Sequence, residues 1–296
     1  MRPSYLRMLI LVSLGTLGLS VPVHAQDTPP GVISQDAATT GTTDVATGGF
    51  QTVAAKEDLA KEVSELELSA GGLVASGNSR STAVTGAGKL RLRRANNQYS
   101  ANFAGNYARA AAAVDEPMDT SVSNIQGRVR YDRYLSDAWS LFAAESARRD
   151  RFQGLVLRLN FDPGVAFYLF DYEKHRLLAE LGYDLQYDVR RDETIAESAL
   201  QGIDVDKTDV EHSGRAFAGY ENKLNQAVSF STGLEYIQSV TDAENWRLNW
   251  DVGLTSSIAE SFSLAATFSL RYDSNPLPGV ETTDTTTALS LVYTLL

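Results

Sequence analysis

The feature that most constrains this chain is an alternation of apolar and polar residues with a period of two, which recurs from about residue 64 to residue 296. In the segment NWRLNWDVGL, residues 245–254, Trp246 and Trp250 fall on one set of positions, and Arg247 and Asp251 fall between them. Successive side chains of a β-strand point to opposite faces of the sheet. The pattern therefore predicts strands with one apolar face and one charged face.

Segments with this alternation predict twelve strands. Their approximate spans are 64–75, 81–93, 98–110, 122–135, 139–149, 155–170, 175–189, 211–222, 227–240, 245–256, 261–273 and 283–296. The assignment of faces is ambiguous in 139–149 and 211–222. In the sixth segment, Asp162-Pro163-Gly164 predicts a bulge or a bend, because proline cannot donate a backbone hydrogen bond to a neighbouring strand.

The connections between the predicted strands alternate in length. Those after the even-numbered strands are tight, whereas those after the third, seventh and eleventh strands are long. Membrane barrels of bacteria have an even number of strands, short periplasmic turns and longer outer loops. With the N-terminus in the periplasm, all the long connections fall on the outer side.

Alternation alone also fits a soluble sandwich, in which two apolar faces pack together. Three features favour a barrel that faces lipid. A tilted strand of about twelve residues, at roughly 3.3 Å each, spans a hydrocarbon layer. Arginine and aspartate occur in the middle of the polar faces. Aromatic residues recur near strand ends, where they suit the membrane boundary: Tyr99, Tyr131, Trp246, Tyr272 and Tyr293. We predict an all-β fold, a transmembrane up-and-down antiparallel β-barrel of about 12 strands in the cell outer membrane.

The N-terminal region has the composition of an export signal. Arg2 and Arg7 precede an apolar run, and Val23-His24-Ala25 resembles a cleavage site. We predict a signal peptide over 1–25, a flexible periplasmic segment over 26–63 with a possible short helix near 51–63, and a barrel over 64–296. The chain has no cysteine, which excludes disulfides and thiolate metal sites, and its net charge of −11 argues against nucleic-acid binding.

Three segments resemble a known family: LSAGGLVASGNSRST near the start, ESARRDRFQGLVLRLNFDPGVAFYLFDYEKHRLLAELGYD in the middle and LRYDSNPLPGVETTDTTTALSLVYTL at the end. They are similar to the salt-induced outer membrane proteins, an outer-membrane barrel domain of unknown function. The resemblance implies a barrel and a connection with salt or osmotic stress, and it implies no catalytic residues. Outer-membrane chains usually end in an aromatic residue, whereas this one ends Leu295-Leu296 after Tyr293.

The assigned faces direct twelve charged side chains into the barrel lumen. These predicted lumen-lining residues are Lys89, Arg91, Arg128, Arg130, Arg158, Glu180, Asp184, Asp188, Glu235, Arg247, Asp251 and Arg271. They predict either an electrostatically structured pore or a charge network that fills the barrel. Eight strands leave a filled interior and sixteen leave a channel, so a size of twelve does not decide between the two.

Other chemistry has weaker support in the sequence. A lipid-modifying enzyme would need a histidine near a serine, yet His212 and Ser213 are neighbours on a strand and point to opposite faces. The segment DVDKTD lacks the glycine and glutamate of a calcium loop, since Asp209 and Arg215 stand at those positions. We therefore predict no catalytic residues, cofactor or metal.

Our first functional hypothesis is a narrow passive pore, or transport-related porin, for small solutes or ions. The second is a non-conducting envelope barrel with a filled lumen and a structural or stress-related role; a lipid-modifying enzyme is a remote third. The expected partners are outer-membrane lipid and lipopolysaccharide, the outer-membrane insertion machinery, and small solutes or ions.

Overall fold

A computed structural model describes residues 62–75, 80–111, 117–151, 153–172, 174–276 and 282–294. The predicted signal peptide lies outside the described residues. So does the predicted periplasmic segment, with its possible helix, except for residues 62 and 63.

The described residues form twelve strands and one helix. In chain order these are β1 (Val63–Ala75), β2 (Arg80–Arg94), β3 (Asn97–Ala111), β4 (Asp119–Ser136), β5 (Trp139–Asp150), β6 (Leu155–Asp171), β7 (His175–Arg190), α1 (Asp192–Leu200), β8 (Thr208–Lys223), β9 (Val228–Ser239), β10 (Trp246–Ala259), β11 (Phe262–Asp273) and β12 (Thr283–Thr294).

Each strand pairs antiparallel with its neighbours in the chain, and β1 pairs with β12 to close the barrel. The predicted fold class and the number of strands are therefore confirmed. The seam is the shortest pairing of the ring. It runs from Glu67↔Thr294 to Ala70↔Leu291, whereas β1 pairs with β2 from Val63↔Arg93 to Ala75↔Ser81.

The two ends of the barrel differ in their connections. Tight turns follow β2, β4, β6, β8 and β10 at one end, which we call the turn end. The longer connections, including residues 191–207, lie at the other end, which we call the loop end.

The bulge-or-bend prediction at Asp162-Pro163-Gly164 is wrong as regards a bulge, because neither neighbouring strand shifts its register there. The pairing of β5 with β6 keeps one register from Trp139↔Phe167 to Arg148↔Arg158. Against β7, the pairing skips Asp162 and Pro163 between Phe161↔Leu185 and Gly164↔Gly182, and its register shifts lie near the two ends of β6, at 155/157 and 168/170.

Of two facing glycines in this region, Gly164 makes space for an aromatic ring inside the barrel. Gly164 and Gly182 lie opposite each other in β6 and β7. A Cβ atom on Gly164 would lie 2.5 Å from the ring of Phe142 and 2.6 Å from the carbonyl oxygen of Leu181. A larger residue at this position would force the ring or the backbone to move.

The outer face of the barrel is apolar. Leu181 is 60% exposed and Val129 54% exposed, and both lie in the middle of strands. Aromatic rings of the outer face form close pairs near both ends. Tyr99–Tyr131, Trp139–Phe167 and Phe262–Tyr293 lie at the turn end, and Trp246–Tyr272 and Tyr236–Trp246 at the loop end. An apolar band between two aromatic belts is the surface that a membrane barrel presents to lipid.

The connection between β7 and β8 contains a helix. Helix α1 starts with Asp192 and Glu193 and has one buried residue, Ser198, so it shows little apolar periodicity. It is positioned by tertiary contacts: the Arg191 N–H donates to the Gly154 carbonyl at 2.8 Å, and Thr194 packs against Gly154. No helix in the described part of the chain has the length and hydrophobicity to cross a membrane.

A pair of substitutions on neighbouring residues of β4 tests which face meets lipid. Ile125 is 47% exposed on the outer face, whereas Gln126 faces the lumen. Ile125→Arg should destabilise the barrel by up to about 2–4 kcal/mol, depending on its depth in the bilayer. Gln126→Arg should cost less, about 1 kcal/mol or below, because its side chain reaches a polar cavity and the penalty is limited to the like charge of Arg148 opposite it in β5. Urea unfolding from lipid vesicles measures both, and equal destabilisation would contradict the assignment.

Candidate functional site

The inward face of β7 is the centre of the charged lumen. Its polar side chains Glu180, Asp184, Gln186 and Asp188 share one face, with Gly182 between the first two, and extend from the middle of the strand to the loop end. They receive hydrogen bonds or ion pairs from arginines on four different strands: Arg130 on β4, Arg158 on β6, Arg215 on β8 and Arg247 on β10. The acidic ladder of one strand therefore connects half of the ring.

Glu180 occupies the deepest position of this ladder. One of its oxygens lies 2.8 Å from the Arg130 guanidinium, and the other accepts a hydrogen bond of 2.8 Å from Arg215. Arg215 also binds Glu235 at 2.5 Å, and Arg130 binds Asp132 at 2.6 Å. The Glu180 side chain is 0% exposed and both arginines are 3% exposed. Such a network depends on mutual charge compensation, because none of these groups is solvated.

An apolar cluster lies on the turn side of this network. Its buried members are Phe142, Ala166, Leu178 and Phe217, and Tyr168 packs against them. The guanidinium carbon of Arg130 lies 4.1 Å from the centre of the Phe142 ring, a cation–π distance. The network and the cluster occupy the lumen between β4 and β9. We call Arg130, Glu180, Arg215 and the apolar cluster the constriction.

A cavity of about 500 Å³ lies on the loop side of the constriction. Its lining includes Asp242 and Asn245 from the β9–β10 connection and Asn275 from the β11–β12 connection, so the cavity reaches the loop end. Arg215 and Glu235, at the constriction, also line it. We call this cavity the vestibule.

Most arginines of the vestibule are held by carboxylates of other strands. Arg128 lies 3.0 Å from Asp162, and Arg271 lies 2.7 Å from Asp251. Arg158 donates two hydrogen bonds to Asp188, at 2.7 and 2.6 Å. Arg247 reaches from β10 to Asp184 on β7 at 3.2 Å. These pairs fix the orientation of the charges around the cavity.

The structure separates the twelve predicted lumen residues into three places. The vestibule is lined by Arg128, Arg158, Asp184, Asp188, Glu235, Arg247 and Arg271. Arg130 and Glu180 belong to the constriction. Asp251 is buried behind Arg271, and Lys89 and Arg91 lie on β2, where Arg91 pairs with Glu65. The predicted residues thus do not form one continuous lining.

The sequence analysis missed several lumen residues that matter as much. Arg215 was missed because Phe217, an apolar residue on the same face of β8, obscures the alternation. Asp162 was missed because it was assigned to a bulge. Ser213, which is 1% exposed, and Arg215 are two residues apart on β8 and share its inward face. The sequence pattern left the faces of this strand ambiguous, so it could not assign either residue.

The two histidines of the strands lie on the outer face. His212 hydrogen-bonds the hydroxyl of Tyr183, and His175 lies 3.0 Å from the hydroxyl of Tyr220. Ser213 points into the barrel, away from His212. Within the described ranges, no group of three or more histidine or carboxylate residues could hold a metal ion.

These features define a closed antiparallel β-barrel with an apolar outer face and a charged lumen. The chain belongs to the family described as "Protein of unknown function, DUF481", whose profile matches residues 68–295. It is 26% identical over 237 residues to the uncharacterized protein YdiY of Escherichia coli, over 80% of this chain and 85% of that protein. The family resemblance found in the sequence is thereby confirmed, whereas the connection with salt stress stays a prediction.

Two solved structures illustrate the comparison at the level of the fold. The NanC porin is 11% identical, with a TM-score of 0.48, over 78% of this chain and 100% of that chain. An outer membrane channel from Pseudomonas putida F1 is 13% identical, with a TM-score of 0.42, over 81% of this chain and 98% of that chain.

Glu180→Gln tests the central network. The change leaves Arg130 and Arg215 buried without their shared counter-charge, and removal of one partner from a buried ion pair costs about 3–5 kcal/mol. The measurement is urea unfolding of the folded barrel in lipid vesicles.

The matched control is Asp209→Asn. Asp209 also pairs with an arginine, Arg190, but its side chain is 44% exposed. Exposed pairs contribute about 0–1 kcal/mol, so this variant should keep nearly full stability. Similar stabilities of the two variants would show that Glu180 is not the centre of the network.

Proposed function

We propose that this protein is a narrow, passive pore of the outer membrane for small solutes or ions. The observation that carries the proposal is the vestibule, a polar cavity of about 500 Å³ that leads from the loop end down to the constriction. A barrel that served only as a filled scaffold would have no need of a charged cavity at one end.

The proposed location follows from the two faces of the barrel. The exposed apolar side chains of the outer face are unfavourable in water, and closed barrels are the β-structures that satisfy every backbone hydrogen bond in lipid. Short turns on the periplasmic side and longer loops outside are the usual topology. The vestibule then opens towards the exterior of the cell.

The constriction sets the expected conductance. Arg130, Glu180 and Arg215 are almost completely shielded from solvent, so a permeating solute has to pass beside them through the remaining part of the lumen. Small conductance steps are expected rather than those of a wide porin.

The same buried network favours a second candidate, a non-conducting envelope barrel. In that case the ion pairs and the apolar cluster form an interior core, and the vestibule ends blindly. The two candidates differ in one measurable property, the passage of ions.

Single-channel recording in planar bilayers tests the proposal with a variant that widens the constriction. The double change Glu180→Ala with Arg215→Ala removes one charge of each sign. It leaves Arg130 paired with Asp132, and Glu235 bonded to Asn249 at 2.8 Å. We expect larger current steps than those of the unaltered protein, because two long side chains leave the lumen.

The control is Asp192→Ala with Lys207→Ala, which removes an exposed ion pair of the β7–β8 connection, outside the vestibule and the constriction. Its current steps should match those of the unaltered protein. Circular dichroism and unfolding curves establish that each protein is folded. If both the unaltered protein and the widened variant are folded and silent, the pore proposal fails and the non-conducting candidate replaces it.

A further inference from the structure

The vestibule has one side on which all the exposed charges are positive. On this side, Arg128, Arg148 and Arg158 come from the consecutive strands β4, β5 and β6, and we call them the arginine wall. Arg148 and Arg158 lie directly opposite each other in the pairing of β5 with β6. Like charges on directly opposite residues destabilise a sheet. The two arginines therefore concentrate positive charge at this place at a cost to the stability of the sheet.

The counter-ions of the arginine wall do not cancel its effect inside the cavity. Asp150, Asp162 and Asp188 pair with these arginines, but their side chains are only 0–4% exposed. The guanidinium side chains are 31%, 20% and 22% exposed for Arg128, Arg148 and Arg158. The surface that a solute meets on this side is therefore made of guanidinium groups.

The other side of the vestibule carries charges of both signs, but its arginines Arg215, Arg247 and Arg271 are held in ion pairs. Its carboxylates that are not ion-paired are Glu211 on β8, Asp242 before β10 and Asp273 on β11, and we call these the carboxylate wall. None of the three forms an ion pair with a described residue. Asp242 and Asp273 accept backbone N–H groups of Glu244 and Asn275, each at 2.9 Å. One oxygen of Glu211 accepts the Asn245 amide at 3.2 Å, and its other oxygen has no partner in the described part of the chain.

The order of the strands places the two walls on opposite sides of the barrel. The arginine wall is centred on β5, and the carboxylate wall lies between β8 and β11, so roughly half of the twelve-stranded ring separates them. Exposed guanidinium groups on one side attract an anionic group, and carboxylates without ion pairs on the other side attract a cationic group. Low-dielectric walls strengthen both attractions.

We propose that the vestibule binds small zwitterionic solutes, with the solute carboxylate towards Arg128 and the arginine wall and its cationic group towards Glu211 and the carboxylate wall. A cavity of about 500 Å³ has the size of ordinary small-molecule sites. This inference rests on the proposed function in that it names the solute class of the same pore, but binding itself requires no passage through the constriction.

Calorimetric titration of the folded protein in detergent micelles tests the inference without a measurement of flux. The probes are ω-amino acids of increasing length, namely glycine, 4-aminobutyrate and 6-aminohexanoate, since their charge separation varies. Hexanoate and hexylamine carry one charge each and are the matched controls. We expect the best zwitterion to bind roughly tenfold or more tightly than either, the change expected from one additional charged hydrogen bond.

Neutral substitutions assign the binding to the two walls. Arg128→Gln and Glu211→Gln should each weaken the best zwitterion by roughly tenfold, because each removes one charged contact. Arg94→Gln and Glu260→Gln make the same chemical changes at the turn end and should leave the affinity unchanged.

The inference is overturned if the folded protein binds none of the zwitterions, binds the singly charged controls as tightly, or keeps its affinity in the two wall variants. Its failure is separate from that of the pore. A silent bilayer with a zwitterion bound in micelles rejects conduction and retains the binding site, and current steps without zwitterion binding do the opposite.

Discussion

Closure of the sheet is the constraint on which the rest of this structure depends. Each of the twelve strands pairs on both sides, and the short β1–β12 pairing from Glu67↔Thr294 to Ala70↔Leu291 joins the ends of the ring. A closed ring has no free edge, so its outside can be apolar and meet lipid. The same closure encloses a lumen. Because side chains alternate between the two faces of a strand, every second side chain points into this lumen.

The inside of a ring of twelve strands lies in size between the filled interior of eight-stranded barrels and the open channel of sixteen-stranded porins. Two solutions occur at different depths. Towards the turn end, Phe142, Phe217 and Leu178 form a small core of their own inside the barrel. Towards the loop end, charged side chains surround a cavity instead. Glu180 stands at the boundary, where two arginines from different strands share one buried carboxylate.

The charges of the lumen are organised by long arginine side chains more than by the strands that carry them. Arg247 reaches from β10 to Asp184 on β7, and Arg130 reaches from β4 to Glu180 on the same strand. These contacts skip two intervening strands and fix opposite sides of the ring relative to each other. They also bury some charges and leave others facing the vestibule, which gives this cavity its two chemically different sides.

The sequence by itself determined the strand count, the antiparallel topology and the face of most charged residues. The reason is that a period of two is a local property of each strand and does not depend on which strands pair. It did not determine the face of Arg215, since Phe217 breaks the alternation of β8, or the helix Asp192–Leu200, which is positioned by contact with Gly154. Only the tertiary structure decided which charges pair. Arg130 and Arg128 are two residues apart on one strand, yet the first is buried against Glu180 and the second faces the vestibule. That difference arises from what the opposite strands place at each depth, and it is absent from the local sequence.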